Sequence, residues 1–405
     1  MIFGRGDLDQ LVERLAKIPV AQESSNRQAT ADDVQVLHEI LHWRGHPQTS
    51  LLGAAEEREV ASDLLTRQQA VLLQVATTVP RLEVRGGAGS GKTWLALEQT
   101  RRLARGGQRV ALLCYSRGLA TSLRQVVDTY PRKAKPAYAG TFHGLGLEHW
   151  GAAPPDDPTD TDYWDHRLPA SMIEIADALP LGQRFDAIVV DEAQDLATDW
   201  WGVVRAALRD PETGGLYLFS DEGQRIFQRS GLLPESVAVF TLEYNLRNSR
   251  PICETLQGLA AGIMRPRGGL GPPVRLVPSS ASDAVSTADD QVDVLLDAGW
   301  RPEDIALLTT GTRHPEHASR LAAGVDAYWA SYWDTEQVFY GSVLGFKGLE
   351  RRAVVLAVNS CGRKELDRER LYVGMSRATD ELVLCGDPAY LTEIGGRALL
   401  NRLHE

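Results

Sequence analysis

Residues 81–105 read RLEVRGGAGSGKTWLALEQTRRLAR. A short apolar run ends in GGAGSGKT at 86–93, and a helix-forming stretch follows at once. The eight residues fit G-x-x-x-x-G-K-[ST], and a strand before with a helix after is the context that gives the pattern meaning. Gly86, Gly87, Ala88, Gly89, Ser90 and Gly91 would let successive backbone N–H groups curl around phosphate oxygens. The helix N-terminus adds positive potential there. Lys92 would reach the β- and γ-phosphates, and the Thr93 hydroxyl would hold Mg²⁺. ATP and Mg²⁺ are the expected cofactors.

The second half of such a site stands 98 residues on, in DAIVVDEAQD at 186–195. An apolar strand there delivers Asp191 and Glu192 at its carboxyl end. Asp191 suits a position on Mg²⁺, and Glu192 suits a general base that polarises an attacking water. Phosphoryl transfer also needs positive charge where the γ-phosphate departs. Arg247 in EYNLRNSRP and Arg377 in YVGMSRATD sit at strand-to-helix transitions and are the candidates, with chance placement the alternative for either.

Working outward, RLEVRGG, RVALLCYS, FDAIVVDEAQD and GLYLFSDE each read as a buried strand ending in a polar turn, with helical stretches between. That is the βαβ rhythm of a parallel sheet covered on both faces. VAVFTLEYN, PVRLVPSS, DIALLTTG, RAVVLAVNS and ELVLCGDP repeat it. So many strands predict two α/β lobes in tandem, spanning 65–240 and 241–405. The Pro- and Asp-rich stretch 151–170 predicts an exposed insertion within 147–184. Residues 1–64 predict short helices, Leu8–Ile18 and Asp32–Trp43 among them, in an acidic segment or linker.

Composition narrows the class. The chain has 405 residues, 43% hydrophobic and 24% charged. Disordered, collagen-like and coiled-coil-rod classes do not fit those proportions. No apolar run approaches the ~18 residues a transmembrane helix needs. The N-terminus lacks the pattern of a signal peptide. Cysteines 114, 253, 361 and 385 form no C-x-x-C pair, so reduced thiols in the cytoplasm are expected. A net charge of −11 gives no bulk attraction to nucleic acid, though a local groove can still bind it.

Taken in order, these stretches resemble the motifs of a superfamily 1 helicase of the UvrD/Rep-like branch, over residues 65–387. LTRQQAV (65–71) resembles the Q motif, which implies that Gln69 contacts the adenine edge. GGAGSGKT resembles motif I, LLCYSRGLA (112–120) motif Ia and GTFHGLG (140–146) the TFH motif. VVDEAQD (189–195) resembles motif II. FSDEGQRIF (219–227) resembles motif III, with Gln224 as a γ-phosphate sensor. LEYNLRNSRPI (242–252), SVLGFKGLE (342–350) and ERLYVGMSRA (369–378) resemble motifs IV, V and VI. The resemblance implies two RecA-like P-loop NTPase lobes with parallel sheets, α/β in class, behind a small N-terminal helical segment. It assigns Glu350 to the nucleotide. It also implies a single-stranded DNA partner, with RNA left open, contacted by Tyr115, Arg117, Thr141, His143 and Ser342. Tyr115 reads equally as a core tyrosine at a strand end, and His143 as a capping or core histidine.

The departures matter too. Only 48 residues separate His143 from Asp191, and only 90 separate Ile252 from Ser342. Neither gap has room for the extra subdomains of the large helicases. That implies ATP-driven movement on a single strand more strongly than duplex unwinding. A nucleotide-gated binding switch is the alternative. Leu246, Arg229 and Leu344 stand where the family carries an adenine-stacking aromatic, a base-stacking tryptophan and a histidine. SDEGQRIF, MRPRGG and FYGSVLGFKGLERR also resemble the helicase half of bacterial NERD-domain proteins, which suggests a separately encoded nuclease as a further partner. No membrane partner is expected.

Overall fold

The computed structural model describes residues 51–71, 73, 79–221, 237–260, 262, 264–360, 362 and 364–403. The helices expected within 1–50, Gln224 and Arg229 lie outside these residues. Helix α1 (Leu51–Gln69) precedes β1 (Arg81–Gly86), α2 (Lys92–Arg105), β2 (Val110–Cys114), α3 (Arg117–Asp128) and β3 (Tyr138–Thr141). Then come α4 (Leu168–Ala178), β4 (Ala187–Asp191), α5 (Trp201–Ala207), β5 (Gly215–Ser220) and β6 (Ala238–Leu242). These six strands form one sheet in the order β3-β2-β4-β5-β1-β6, parallel throughout.

A short parallel pair, β7 (Tyr244–Asn245) and β8 (Arg265–Pro266), follows. After it come β9 (Arg275–Pro278), α6 (Ala284–Asp297), β10 (Ile305–Thr309), α7 (Pro315–Ala323) and α8 (Val325–Ala330). The chain continues with β11 (Phe339–Ser342), β12 (Arg351–Ala357), α9 (Lys364–Met375) and β13 (Ala378–Gly386). The second sheet runs β11-β10-β12-β13-β9, again all parallel.

The apolar runs form these strands because both sheet faces are covered. Alternate residues split between two cores, as the period of two requires. Ala111, Leu113, Ile188 and Val190 face one side of the first sheet, and Val110, Leu112, Ala187 and Val189 the other. The second sheet divides in the same way, with Leu308, Val354 and Leu384 on one face and Leu307, Val355 and Val383 on the other. Among the described residues no helix is long and apolar enough to cross a membrane.

The structure departs from or adds to the expected pattern at four points. VAVFTLEYN, read with the repeated strands, straddles the expected boundary at 240; its first part is β6, which pairs with β1, Val84 opposite Phe240. Strands β3 and β11 were not anticipated. A helix runs unbroken from residue 51 to 69, through the expected boundary at 64. Its first half belongs to the second sheet: Ala55 is in that core, and Arg58 pairs with Asp380 at 2.6 Å. The 151–170 stretch is exposed along much of its length, yet Tyr163 and Leu168 anchor it in the first core.

The topology positions the chemistry. Strands β4, β5 and β1 are neighbours, so Asp191, Asp221 and the 86–91 loop emerge side by side at one carboxyl edge. On the other flank of β4, β2 and β3 place Tyr115 beside Thr141 at the same edge; Cys114 is the partner of Thr141.

Candidate functional site

The phosphate loop has the backbone its glycines permit. Gly89 and Gly91 take φ of 67° and 86°, a region open to glycine at little cost. Gly91 caps α2. Lys92 Nζ donates to the carbonyls of Gly86 and Gly87 at 2.8 and 2.9 Å, and lies 3.4 Å from Asp221. The second half of the chain closes over this loop. Leu246 N and Arg247 N both donate to Gly89 O, at 2.9 and 3.2 Å. Ala88 N donates to Tyr372 Oη at 3.2 Å. An added Cβ at Gly89 would collide with Asn245 Oδ1 and Asn248 Oδ1. Gly89→Ala is therefore expected to lower the melting temperature and weaken nucleotide binding together, since φ strain alone costs of order 1–3 kcal/mol. Thermal melts with and without nucleotide read both.

The carboxylates lie directly opposite. Asp191 is wholly buried. Its Oδ1 accepts from Glu192 N at 3.0 Å, while Oδ2 has no hydrogen-bond partner. The Thr93 hydroxyl lies near enough to Asp191 to favour its charged form. Burial, then the Glu192 charge, pushes the Asp191 carboxyl up to about 7. An orphaned carboxylate oxygen beside a hydroxyl at a phosphate loop is a donor set that suits a hard divalent cation. The residues present therefore fit Mg²⁺.

Glu192 behaves in the opposite way. Burial would raise its carboxyl, but the charges of Lys347, Lys92 and Arg377 outweigh it and hold the group below the usual range. It is also the one non-glycine residue with positive φ among those described, at 53°. Gln194 spans the site: its Nε2 donates to Glu192, and its Oε1 accepts from Asp221 N at 3.0 Å.

Lys347 was quoted within a motif but not singled out as a site residue. It is 1% exposed, reaches from the second half of the chain to Asp195 at 2.5 Å, and lies 3.9 Å from Glu192. Its own carbonyl accepts from Ser116 Oγ at 3.2 Å. Ser116 caps α3 between Tyr115 and Arg117.

The two candidate arginines differ. Arg377 is buried and donates to Val373 O, Leu349 O and Ser376 Oγ at 2.9–3.2 Å, while its charge reaches Glu192. The Arg247 side chain pairs with Glu350 instead. A separate cavity of about 360 Å³ is lined by Gln69, Leu246, Tyr244 and Arg267. Gln69 Oε1 is buried without a partner. The Arg267 guanidinium stands 5.0 Å from the Tyr244 ring centre. An aromatic face and a guanidinium thus sit close to where the sequence has only Leu246. Tyr244 and Arg267 were not anticipated, because the sequence does not show that β7 and β8 pair.

Tyr115, Arg117, Thr141, His143 and Ser342, scattered over 228 positions, all line one cleft of about 880 Å³. The Thr141 hydroxyl caps the next turn, accepting from Gly144 N at 2.9 Å. His143 meets Trp164 O through Nε2 at 3.3 Å, so that nitrogen carries the proton. Its ring packs edge-on against Trp200 at 4.8 Å, and Tyr115 lies 5.8 Å from the same tryptophan. Trp164, Arg313 and Trp329 complete the walls and were not foreseen.

Comparisons with known proteins follow the same division. Residues 67–228 match the AAA domain family and residues 338–385 the UvrD-like helicase C-terminal domain family. No curated protein matches significantly. Among solved structures, that of PRRSV helicase is 13% identical with a TM-score of 0.41, covering 76% of this chain and 52% of that one. Arterivirus nonstructural protein 10 (helicase) is 14% identical at 0.39, covering 81% and 64%. The chain thus spans between half and two thirds of their lengths. Two RecA-like P-loop lobes, with an AAA match in the first and a UvrD-like helicase match in the second, support a superfamily 1 helicase.

Proposed function

We propose that this chain hydrolyses ATP to move along single-stranded DNA. The observation that carries this reading is Lys347. Its ammonium touches Asp195 beside the candidate base, and its carbonyl holds Ser116 at the cleft. One buried residue of the second lobe therefore contacts both sites of the first.

The chain's residues divide the chemistry as follows. Lys92 would exchange its glycine carbonyl contacts for phosphate oxygens. Thr93 and Asp191 would hold Mg²⁺, which supplies positive charge against the phosphates. Glu192, kept ionised by three nearby cations, would take the proton from the attacking water. Arg377 would stabilise the charge that develops, and Arg247 would join it on leaving Glu350. Gln69 and Glu350 would position the base and sugar, and Gln224 would sense the γ-phosphate. Closure of the second lobe on Gly89 and Ala88 would shift Lys347, and with it the cap of α3. In the cleft, Arg117, Thr141, His143 and Ser342 would hold phosphates, and Tyr115 would lie against a base. Grip of that kind tolerates sequence and weakens with salt.

Roadblock displacement tests movement against a stationary switch. A biotin at one end of an oligonucleotide is capped with streptavidin, and ATP-dependent release is timed for each end. Release from one end only is expected. ATP-dependent binding with no release from either end would favour the switch.

A further inference from the structure

We propose that Trp164, on the insertion between β3 and β4, is a base-stacking residue of the cleft. The proposal rests on the single-strand reading above and names the residue that would grip an unpaired base.

Tyr115, half-buried like Trp164, packs on Trp200 and His143 and would share the strand with it. The second-lobe aromatics of the cleft are buried. Tyr328 is 2% exposed and stacks on His317 at 4.9 Å. Trp329 is 8% exposed and its ring lies against Gly118. Trp164 is only half-buried and lines the cleft. The chain forms a π-helical turn at Tyr163–Arg167. It buries Tyr163 and leaves the neighbouring Trp164 at the cleft. Such turns recur at functional sites.

The indole is also held in place before any ligand arrives. Its Nε1 donates to Pro158 O at 2.9 Å. The ring meets His143 edge-on at 5.3 Å and Tyr163 at 5.2 Å and 89°. A fixed aromatic plane loses little freedom on binding. Base stacking on such a plane tolerates any sequence, because every base has a π-face.

The test compares binding of oligo(dT) and of an abasic oligonucleotide of the same length, across a salt series. Trp164→Ala is expected to raise Kd for oligo(dT) about ten-fold, and to leave the slope of log Kd against log salt unchanged. Trp164→Phe should recover most of the loss. The abasic strand should bind wild type and Trp164→Ala alike. Equal losses for both strands would mean a structural role and overturn the proposal. So would wild-type affinity of Trp164→Ala for oligo(dT). Wild type that binds no single strand at all would instead overturn the nucleic-acid reading beneath it.

Discussion

Glu192→Gln is expected to bind nucleotide at near wild-type affinity and turn it over about 10²–10⁴ times more slowly. The substitution keeps the size and the Gln194 contact, and removes only the charge that would accept a proton. The backbone argues for Gln rather than Ala as the replacement. Residue 192 sits at φ 53°, ψ 46°, and a change of shape there would disturb Asp191 beside it. Equilibrium binding of a fluorescent nucleotide, paired with single-turnover hydrolysis, separates the two effects. Turnover within a few-fold of wild type would remove Glu192 as the base. Loss of binding as well as turnover would make its charge a requirement for nucleotide entry.

Lys347→Met should cost about 3–5 kcal/mol of stability, the usual consequence of removing one partner from a buried ion pair. It would leave Asp195 and Glu192 buried together without their nearest cation. Asp195 already has one carboxylate oxygen without a partner. Adding Asp195→Leu should restore much of the loss, because two well-packed apolar groups carry no desolvation penalty. Urea unfolding of the single and double variants measures both steps. An unchanged midpoint for Lys347→Met would show that the pair contributes nothing net. If the double variant regains stability, its hydrolysis should respond less to single strands, because the side-chain half of the link between the two sites is gone while the Lys347 carbonyl still holds Ser116.

What could be read from the chain was local. GGAGSGKT and DAIVVDEAQD declare a phosphate loop and a strand-end carboxylate because backbone conformation, charge and chemistry coincide within ten residues. The long apolar strands were equally plain. Strands β3 and β11 escaped notice because YAGT and FYGS are four residues long and contain glycine, which strand patterning disfavours. Periodicity shows that VAVFT is extended, but not which sheet it joins, and β6 joins the first. The same limit hid the reach of α1. Its hold on the second sheet depends on Ala55 and on Arg58 meeting Asp380, 322 positions away. In the candidate site, residue types were legible and their partners were not. The sequence offers Arg247 and Glu350 as separate nucleotide contacts, whereas in the structure they pair with each other. Tyr244 and Trp164 owe their place to tertiary contacts that leave no local pattern; Lys347 stands in the motif V stretch, but its reach to Asp195 is tertiary too. Trp164 stands in a Pro- and Asp-rich stretch that reads as solvent-facing, and the burial of Tyr163 beside it turns that stretch back onto the cleft.

In a motor of this kind, nucleotide turnover and single-strand binding are coupled. Steady-state ATP hydrolysis with and without oligo(dT), at low and moderate salt and beside Lys92→Ala, tests it most directly. Marked stimulation by the single strand is expected, weaker as salt rises, with no turnover in Lys92→Ala. Hydrolysis that Lys92→Ala abolishes but that no nucleic acid alters would contradict it.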